Sequence, residues 1–356
     1  MDYHLLGRTG LRISPLALGT MTFGDDWGWG TTEDTARTLF NRYLDLGGNF
    51  IDTADLYTNG SSETLLGKFI RDRKARDFVV LATKYSFGAA AGDPNAGGNS
   101  RKNLFRALEG SLRRLQTDYI DVYWVHAWDT LTPVEEVMHT LNALVESGKV
   151  RYIGLSDCPA WYVSRAQTLA ELRGWERLAG IQMEYNLVER GIEAEYVPMA
   201  QNVGLGVVVW SPLASGLLSG KYTKDNLSQG RLGSISNSGN PAFERIAKNP
   251  KNWEIVRVLN EVAAEVGQPA AAVALNWVAT QPGVSSTLVG ATKIAQLEAN
   301  LKALEFTLPT KLREKLDSVS APELTTPYMF FGESMLKMQT NGTNVTAAPR
   351  ARHVRD

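Results

Sequence analysis

Several things are nearly missing from this chain. A single cysteine, Cys158, among 356 residues excludes an internal disulfide framework, and that thiol reads as a small packed residue. The four histidines are scattered, and none stands at ligand spacing from Cys158 or from carboxylates, so no metal site is expected. A surplus of charge is also absent. The formal net charge of -1 gives neither nucleic acid nor an anionic membrane surface an electrostatic handle. No apolar run approaches the ~20 residues of a membrane helix. The longest candidate, residues 270–279, is interrupted by Asn276. The amino terminus, Met1-Asp2-Tyr3-His4, lacks a basic segment followed by an apolar one, so no secretory signal is expected and a cytoplasmic protein is the simplest reading. One motif is missing as well. A dinucleotide-binding open sheet places Gly-x-Gly-x-x-Gly after its first strand, whereas this chain has Gly19-Thr20-Met21-Thr22-Phe23-Gly24 there.

What is present is ordinary in composition, with 44% hydrophobic and 21% charged residues, and long enough to bury a large core without staples. After a small hairpin over residues 3–13, one unit repeats: a short apolar strand, a loop, an amphipathic helix. The expected strands are 16–19, 49–52, 78–84, 120–126, 151–156, 181–184, 206–210 and 286–289. Helices are expected at 32–46, 62–71, 101–115, 133–147 and 160–172. The first of them opens on Thr32 with Glu33 and Asp34 behind it and stops at Gly47-Gly48. Strands apolar at consecutive positions are covered on both faces, and eight such units predict a closed parallel (β/α)8 TIM barrel over residues 1–320. Two segments break the rhythm. A long excursion, 211–285, is read as a lid or binding loop and holds a polar glycine-rich stretch at 225–240 and helices at 253–266 and 270–279. A C-terminal extension, 321–356, is expected to be only partly ordered, with Tyr328-Met329-Phe330-Phe331 as its apolar patch.

In such a barrel the carboxyl ends of the strands converge on one mouth. Asp52, Lys84 and His126 end the second, third and fourth strands, and Tyr57 follows in the adjacent loop. Taken singly, each reads as a rim residue hydrogen-bonded for packing; taken together they suit proton donation to a carbonyl oxygen. Lys84 would stabilise the Tyr57 phenolate and lower the phenol's pKa from its ordinary ~10, with Asp52 holding that charge in place. Tyr57 would act as general acid, and His126 would orient and polarise the carbonyl oxygen. No side chain can deliver a hydride, so a nicotinamide cofactor is required.

These residues and their surroundings resemble the aldo-keto reductases. The similarity runs from Leu6-Gly7-Arg8-Thr9-Gly10 to about Ser320. It is carried by Gly19-Thr20-Met21, Asp52-Thr53-Ala54-Asp55-Leu56-Tyr57, Thr83-Lys84, His126-Ala127-Trp128-Asp129, Gly154-Leu155-Ser156, Gln182 with Tyr185-Asn186, Ser211-Pro212-Leu213 with Gly216 to Tyr222, and Gly290-Ala291-Thr292 with Gln296 and Asn300. The branch is the bacterial type that also resembles potassium-channel β subunits. The resemblance implies NADP(H) across the barrel mouth, with Trp210 stacked on the nicotinamide ring and Ser156, Asp157 and Gln182 at its carboxamide. Asp157 stands where the family more often has Asn. It implies that Ser211, Pro212, Leu213, Gly216, Leu218 and Lys221 wrap the pyrophosphate through backbone amides and one charge. Cations for the 2′-phosphate are Lys293, Arg231 and Lys221, and Gln296 and Asn300 share a helix face that could hold adenine. Thr292 stands where that branch often has Arg. Aromatic rim residues Trp27, Tyr85 and Trp128, with Trp29 and Phe87 nearby, would form the wall for an aldehyde or ketone substrate. The leading expectation is NADPH-dependent carbonyl reduction. The alternative is a cofactor-binding regulatory or scaffold subunit of the channel-β type with slow turnover.

Overall fold

The computed structural model describes residues 1–345 apart from 89, 225, 228, 229, 324 and 344. Strands β1 (His4–Leu5) and β2 (Arg12–Ile13) form the expected antiparallel hairpin. Its Leu6 and Ile13 are fully buried in the cluster that fills the barrel interior with Phe50, Val122, Trp124 and Val208. Gly7 sits in that plug at φ +57, and a Cβ there would lie 2.6 Å from the Ala179 carbonyl oxygen, so only glycine lets the hairpin seat.

The remaining strands are β3 (Leu16–Gly19), β4 (Phe50–Asp52), β5 (Val80–Tyr85), β6 (Ile120–Val125), β7 (Val150–Ser156), β8 (Leu178–Glu184), β9 (Gly206–Trp210) and β10 (Val284–Val289). They close in that order into one parallel barrel, with β10 pairing both β9 and β3. All eight fall where the sequence places them, within a few residues at their ends. Between them run α1 (Glu33–Asp45), α2 (Ser61–Arg73), α3 (Arg101–Leu115), α4 (Val134–Glu146), α5 (Ala160–Arg173) and α6 (Tyr196–Val203). Thr32 caps α1 as its sequence position implies, its hydroxyl accepting from the Thr35 amide, and Ser100 caps α3 in the same way. A second, larger cluster packs these helices against the outer face of the barrel.

The excursion after β9 differs from the expectation. It carries α7 (Gly230–Asn237) and α8 (Ala242–Ala247) before the foreseen α9 (Pro250–Val266) and α10 (Ala270–Ala279). The stretch 225–240 was expected to be a loop; of it, 225, 228 and 229 lie outside the described residues and most of the rest is α7. Gly230, Gly233, Ser234 and Ser236 argue against a helix locally. Burial of Leu232 in the large cluster, and the bond from the Leu232 amide to the Tyr222 hydroxyl at 3.3 Å, override that propensity. Arg245 of α8 clasps Glu184 at the end of β8 and Glu189 beyond it, at 2.7 Å each. Helices α11 (Ile294–Leu301) and α12 (Thr310–Ser320) complete the first unit, Met1–Ser320. The second unit begins at Ala321, and its described part contains a short turn, Tyr328–Phe331, and α13 (Glu333–Gln339). Met329, Phe330 and Phe331 are exposed, and residues 346–356 lie outside the description. No helix among the described residues is long and apolar enough to cross a membrane.

Candidate active site

The four residues singled out at the strand ends meet. Asp52 ends β4, Lys84 is the fifth residue of β5, and His126 follows β6 directly. Parallel register sets Asp52 beside Gly19 on one side and Ala82 on the other, so the carboxylate emerges at the rim next to the lysine. The Lys84 ammonium donates to the Asp52 carboxylate, to the Thr53 carbonyl at 2.8 Å and to the Tyr57 hydroxyl at 3.3 Å. Asp52 and Lys84 are each 1% exposed. Tyr57 is delivered by a tight turn in which Thr58, Asn59 and Gly60 all have positive φ (46°, 53° and 91°). Two non-glycine residues in that region cost energy. The turn is held by the Thr58 hydroxyl, which donates to the Phe23 carbonyl at 2.7 Å and accepts from the Ser62 amide at 3.1 Å.

Burial opposes the Lys84 charge, but Asp52 and Tyr57 outweigh it and hold the ammonium protonated, above its ordinary pKa. Burial lifts the Tyr57 phenol above its ordinary value; Lys84 pulls it back, as does Arg231 more weakly, while Asp52 works against them. The expected net lowering of the phenol is therefore overturned for the chain by itself, because desolvation exceeds the lysine's attraction. His126 lies edge-on to Tyr57 with ring centroids 5.9 Å apart, and to Phe87 at 4.9 Å. Burial, reinforced by Lys84, keeps its imidazole well below the usual range and hence neutral, and its Nδ1 is a buried atom without a hydrogen-bond partner among the described residues. A neutral imidazole, a protonated phenol and a fixed ammonium around one opening can bind a carbonyl oxygen and give it a proton.

Other site residues divide. Gln182 donates from Nε2 to Asp52 Oδ2 at 2.9 Å, so it braces the carboxylate as well as lining the mouth. Trp210 ends β9 with its indole N–H on Asp157 Oδ1 at 3.2 Å, and Ser156 is buried at the end of β7. Ala214, Ser215 and Gly216 have successive φ of 47°, 56° and 93°, a left-handed run that tightens the turn, and the Ala214 amide donates to the Ser211 carbonyl at 2.9 Å. The amides of Gly216 and Leu218, expected to face pyrophosphate, instead donate to the Leu213 carbonyl at 2.8 and 3.2 Å, because the turn closes on itself. Lys221 lies beside Tyr222, 4.7 Å above its ring. Arg231 rests against Met21 and over Trp29 and acts on Tyr57, which puts it at the catalytic mouth. Thr20 is buried, its hydroxyl on the Asp52 carbonyl at 3.1 Å. Gln296 is turned back to accept from the Thr292 amide at 3.0 Å, Lys293 and Gly290 are exposed, and Asn300 is buried.

Of the aromatic wall, Trp27 stands edge-on to Tyr57 at 6.4 Å and against Trp29 at 5.5 Å. Tyr85 does not line the mouth. Strand alternation that turns Lys84 inward turns Tyr85 outward, where it is 0% exposed and stacked on Tyr123. Trp128 packs on Trp161 and Tyr162 of α5, at 5.5 and 6.0 Å, as part of a separate aromatic cluster. Phe87, 48% exposed, faces His126. The support behind His126 was not foreseen. Ser86 receives the His126 amide at 3.1 Å and donates to Asn99, whose own amide donates to Asp129. The only hint was Asp129 within the quoted His126-Ala127-Trp128-Asp129 run. Two depressions elsewhere, one lined by Glu265 and Lys311 and one by Glu109 and Lys149, hold none of these groups.

Comparison with known proteins agrees with this geometry. Residues 15–321 match the profile of the Aldo/keto reductase family. An uncharacterized oxidoreductase of Bacillus subtilis (strain 168) is 39% identical over 329 residues, covering 90% of this chain and 96% of the relative. A probable voltage-gated potassium channel subunit beta of Oryza sativa subsp. japonica is 37% identical, covering 90% and 96%. An aryl-alcohol dehydrogenase [NADP(+)] of Phanerodontia chrysosporium is 34% identical, covering 91% and 87%. With its closed (β/α)8 barrel and a match spanning nearly all of that barrel, this chain belongs to the aldo/keto reductase family.

Proposed function

We propose that this protein reduces aldehydes and ketones to alcohols with NADPH, and that Tyr57 supplies the proton. The observation that carries the reading is the Lys84 ammonium, bonded at once to the Asp52 carboxylate and the Tyr57 hydroxyl beside a neutral His126. The residues fit a nicotinamide cofactor: Trp210 presents a half-buried indole at the end of β9, and Ser156 and Gln182, register partners on β7 and β8, set buried polar side chains near the ends of the neighbouring strands. Trp210, Ser156, Asp157 and Gln182 would hold the nicotinamide, residues 211–221 the pyrophosphate, and Lys221, Arg231 and Lys293 the phosphates. When bound, that group supplies the hydride received by the carbonyl carbon.

The chain's own residues do the rest. His126 hydrogen-bonds the carbonyl oxygen and fixes its direction. Tyr57 transfers its proton to that oxygen as negative charge develops, leaving a phenolate that Lys84 stabilises and Asp52 keeps paired. Trp27, Trp29 and Phe87 give the opening an aromatic lining. This suits aryl aldehydes and ketones, in keeping with a relative named for aryl alcohols.

Titration of the purified protein with NADPH and NADH, followed by an aldehyde and ketone panel that includes 4-nitrobenzaldehyde, tests the activity. Tyr57→Phe is expected to lower kcat by at least ~10²-fold while NADPH affinity stays near the parent's. A variant with near-parental kcat would move the proton donor elsewhere. The relative named as a potassium channel subunit motivates the second reading, a cofactor-binding regulatory subunit. Tight NADPH binding without oxidation by any carbonyl in the panel would favour it.

A further inference from the structure

We propose that Asp157 does two things at the cofactor site: it fixes the plane of the Trp210 indole, and its negative charge favours the oxidised nicotinamide over the reduced one. The inference deepens the reading above and rests on Trp210 lying beside the nicotinamide.

The geometry is specific. Asp157 follows β7 at φ +44, a left-handed position that few non-glycine residues occupy. Its backbone is tied on both sides, its amide donating to the Gln182 carbonyl at 3.3 Å and its carbonyl accepting from the Trp128 amide at 3.5 Å. That backbone aims the carboxylate past β8 to the end of β9, where Oδ1 accepts the Trp210 indole N–H at 3.2 Å. An indole has one donor, so this bond selects one ring orientation. No cation lies within ion-pairing distance of Asp157 among the described residues. The groups that face it are Trp210 from β9, Glu184 from β8, which is itself paired with Arg245, Lys84 from β5, the neighbouring Cys158 and Tyr196 of α6. Burial chiefly, with Glu184 adding to it, pushes the carboxyl up to about 6, so it is ionised in the neutral range and neutral below it.

A nicotinamide ring carries a formal positive charge when oxidised and none when reduced. An unpaired carboxylate held against the residue that stacks on the ring therefore stabilises the oxidised form selectively. Asn at this position keeps the acceptor oxygen and the left-handed backbone but loses the charge.

The experiment measures dissociation constants of NADP+ and NADPH by calorimetry for the parent, Asp157→Asn and Asp157→Ala at pH 8 and pH 5. In Asp157→Asn the ratio Kd(NADP+)/Kd(NADPH) is expected to rise about tenfold at pH 8, the order that a unit charge produces over several ångströms at an effective dielectric of ~20. At pH 5 it is expected to match the parent. Asp157→Ala should show the same shift and, in addition, altered quenching of tryptophan fluorescence by NADPH, because the indole is released. An unchanged ratio at pH 8 with both nucleotides bound overturns this inference alone. A parent protein that binds neither nucleotide overturns the function on which it rests.

Discussion

Replacing Lys84 by Met tests the physical core of the site, because it separates what the lysine does for the fold from what it does for the phenol. Lys84 and Asp52 are buried together, each 1% exposed. Removing the ammonium leaves a buried carboxylate supported by the Gln182 amide at 2.9 Å and the neighbouring Trp124 indole, with no cation beside it among the described residues. Breaking a buried pair in this way typically costs about 3–5 kcal/mol. The carboxylate can escape by taking up a proton, so the part of the loss that comes from its stranded charge cannot exceed the work of protonating it. With an unfolded-state pKa of ~3.9, that limit is about 4 kcal/mol at pH 7 and about 1.5 kcal/mol at pH 5. The sign follows: in the variant the folded-state pKa of Asp52 lies above the unfolded one, so stability falls as pH rises from about 4. Urea unfolding at pH 5 and pH 7 is expected to show the destabilisation growing with pH up to those limits. The double variant Lys84→Met with Asp52→Asn removes the stranded charge and should recover most of the stability at pH 7. It should recover none of the activity, because the Tyr57 phenolate still lacks its cation. A single variant whose loss is the same at both pH values would refute this reasoning. So would a double variant that regains turnover.

Two further outcomes follow from buried groups away from the cofactor. Asp55 has a buried carboxylate oxygen without a partner among the described residues, and burial, with Glu63 adding to it, pushes its carboxyl up to about 7. Because the folded chain holds that proton more tightly than the unfolded one, its contribution to stability is lost as pH rises through 7. Asp55→Asn should gain stability over the parent by at most about 3 kcal/mol more at pH 8 than at pH 5 in paired urea titrations, and equal gains at the two pH values would contradict the assignment. Gly154→Ala would place a Cβ 2.1 Å from the Trp124 ring inside the barrel, and thermal unfolding should report a loss of about 1–3 kcal/mol or more. A variant with the parent's Tm would mean that the indole has room to move.

Most of the barrel was legible because each strand is a short apolar run bounded by breakers, and because strands covered on both faces carry that signal without alternation. The meeting of Asp52, Tyr57, Lys84 and His126 was legible for a related reason: parallel strands end at one rim, so polar residues at their carboxyl ends must converge. Tyr85 was misread although the rule that places it outside is local; once Lys84 points inward its neighbour cannot. Other features depend on contacts between segments far apart in the chain. Nothing near residue 231 in the sequence says that its guanidinium rests on Met21 and Trp29. Nothing near Gln182 says that its amide will brace a carboxylate from β4. Helix α7 exists because Leu232 finds a buried place, against the preference of its own glycines and serines. The inward-turned amides of Gly216 and Leu218 are set by backbone conformation, which residue types constrain only loosely.

The pairing of Thr287 with Leu16 brings together positions separated by about 270 residues, and it is the last link of the ring. While a ribosome is still producing the excursion, seven strands already have the composition to associate, yet β3 and β9 each keep an edge of unpaired amides and carbonyls. A truncated product stopping before Val284 would retain both edges permanently. Such a fragment is a template for joining others of its kind edge to edge. Keeping this chain from self-association during synthesis therefore depends on its final strand arriving in time.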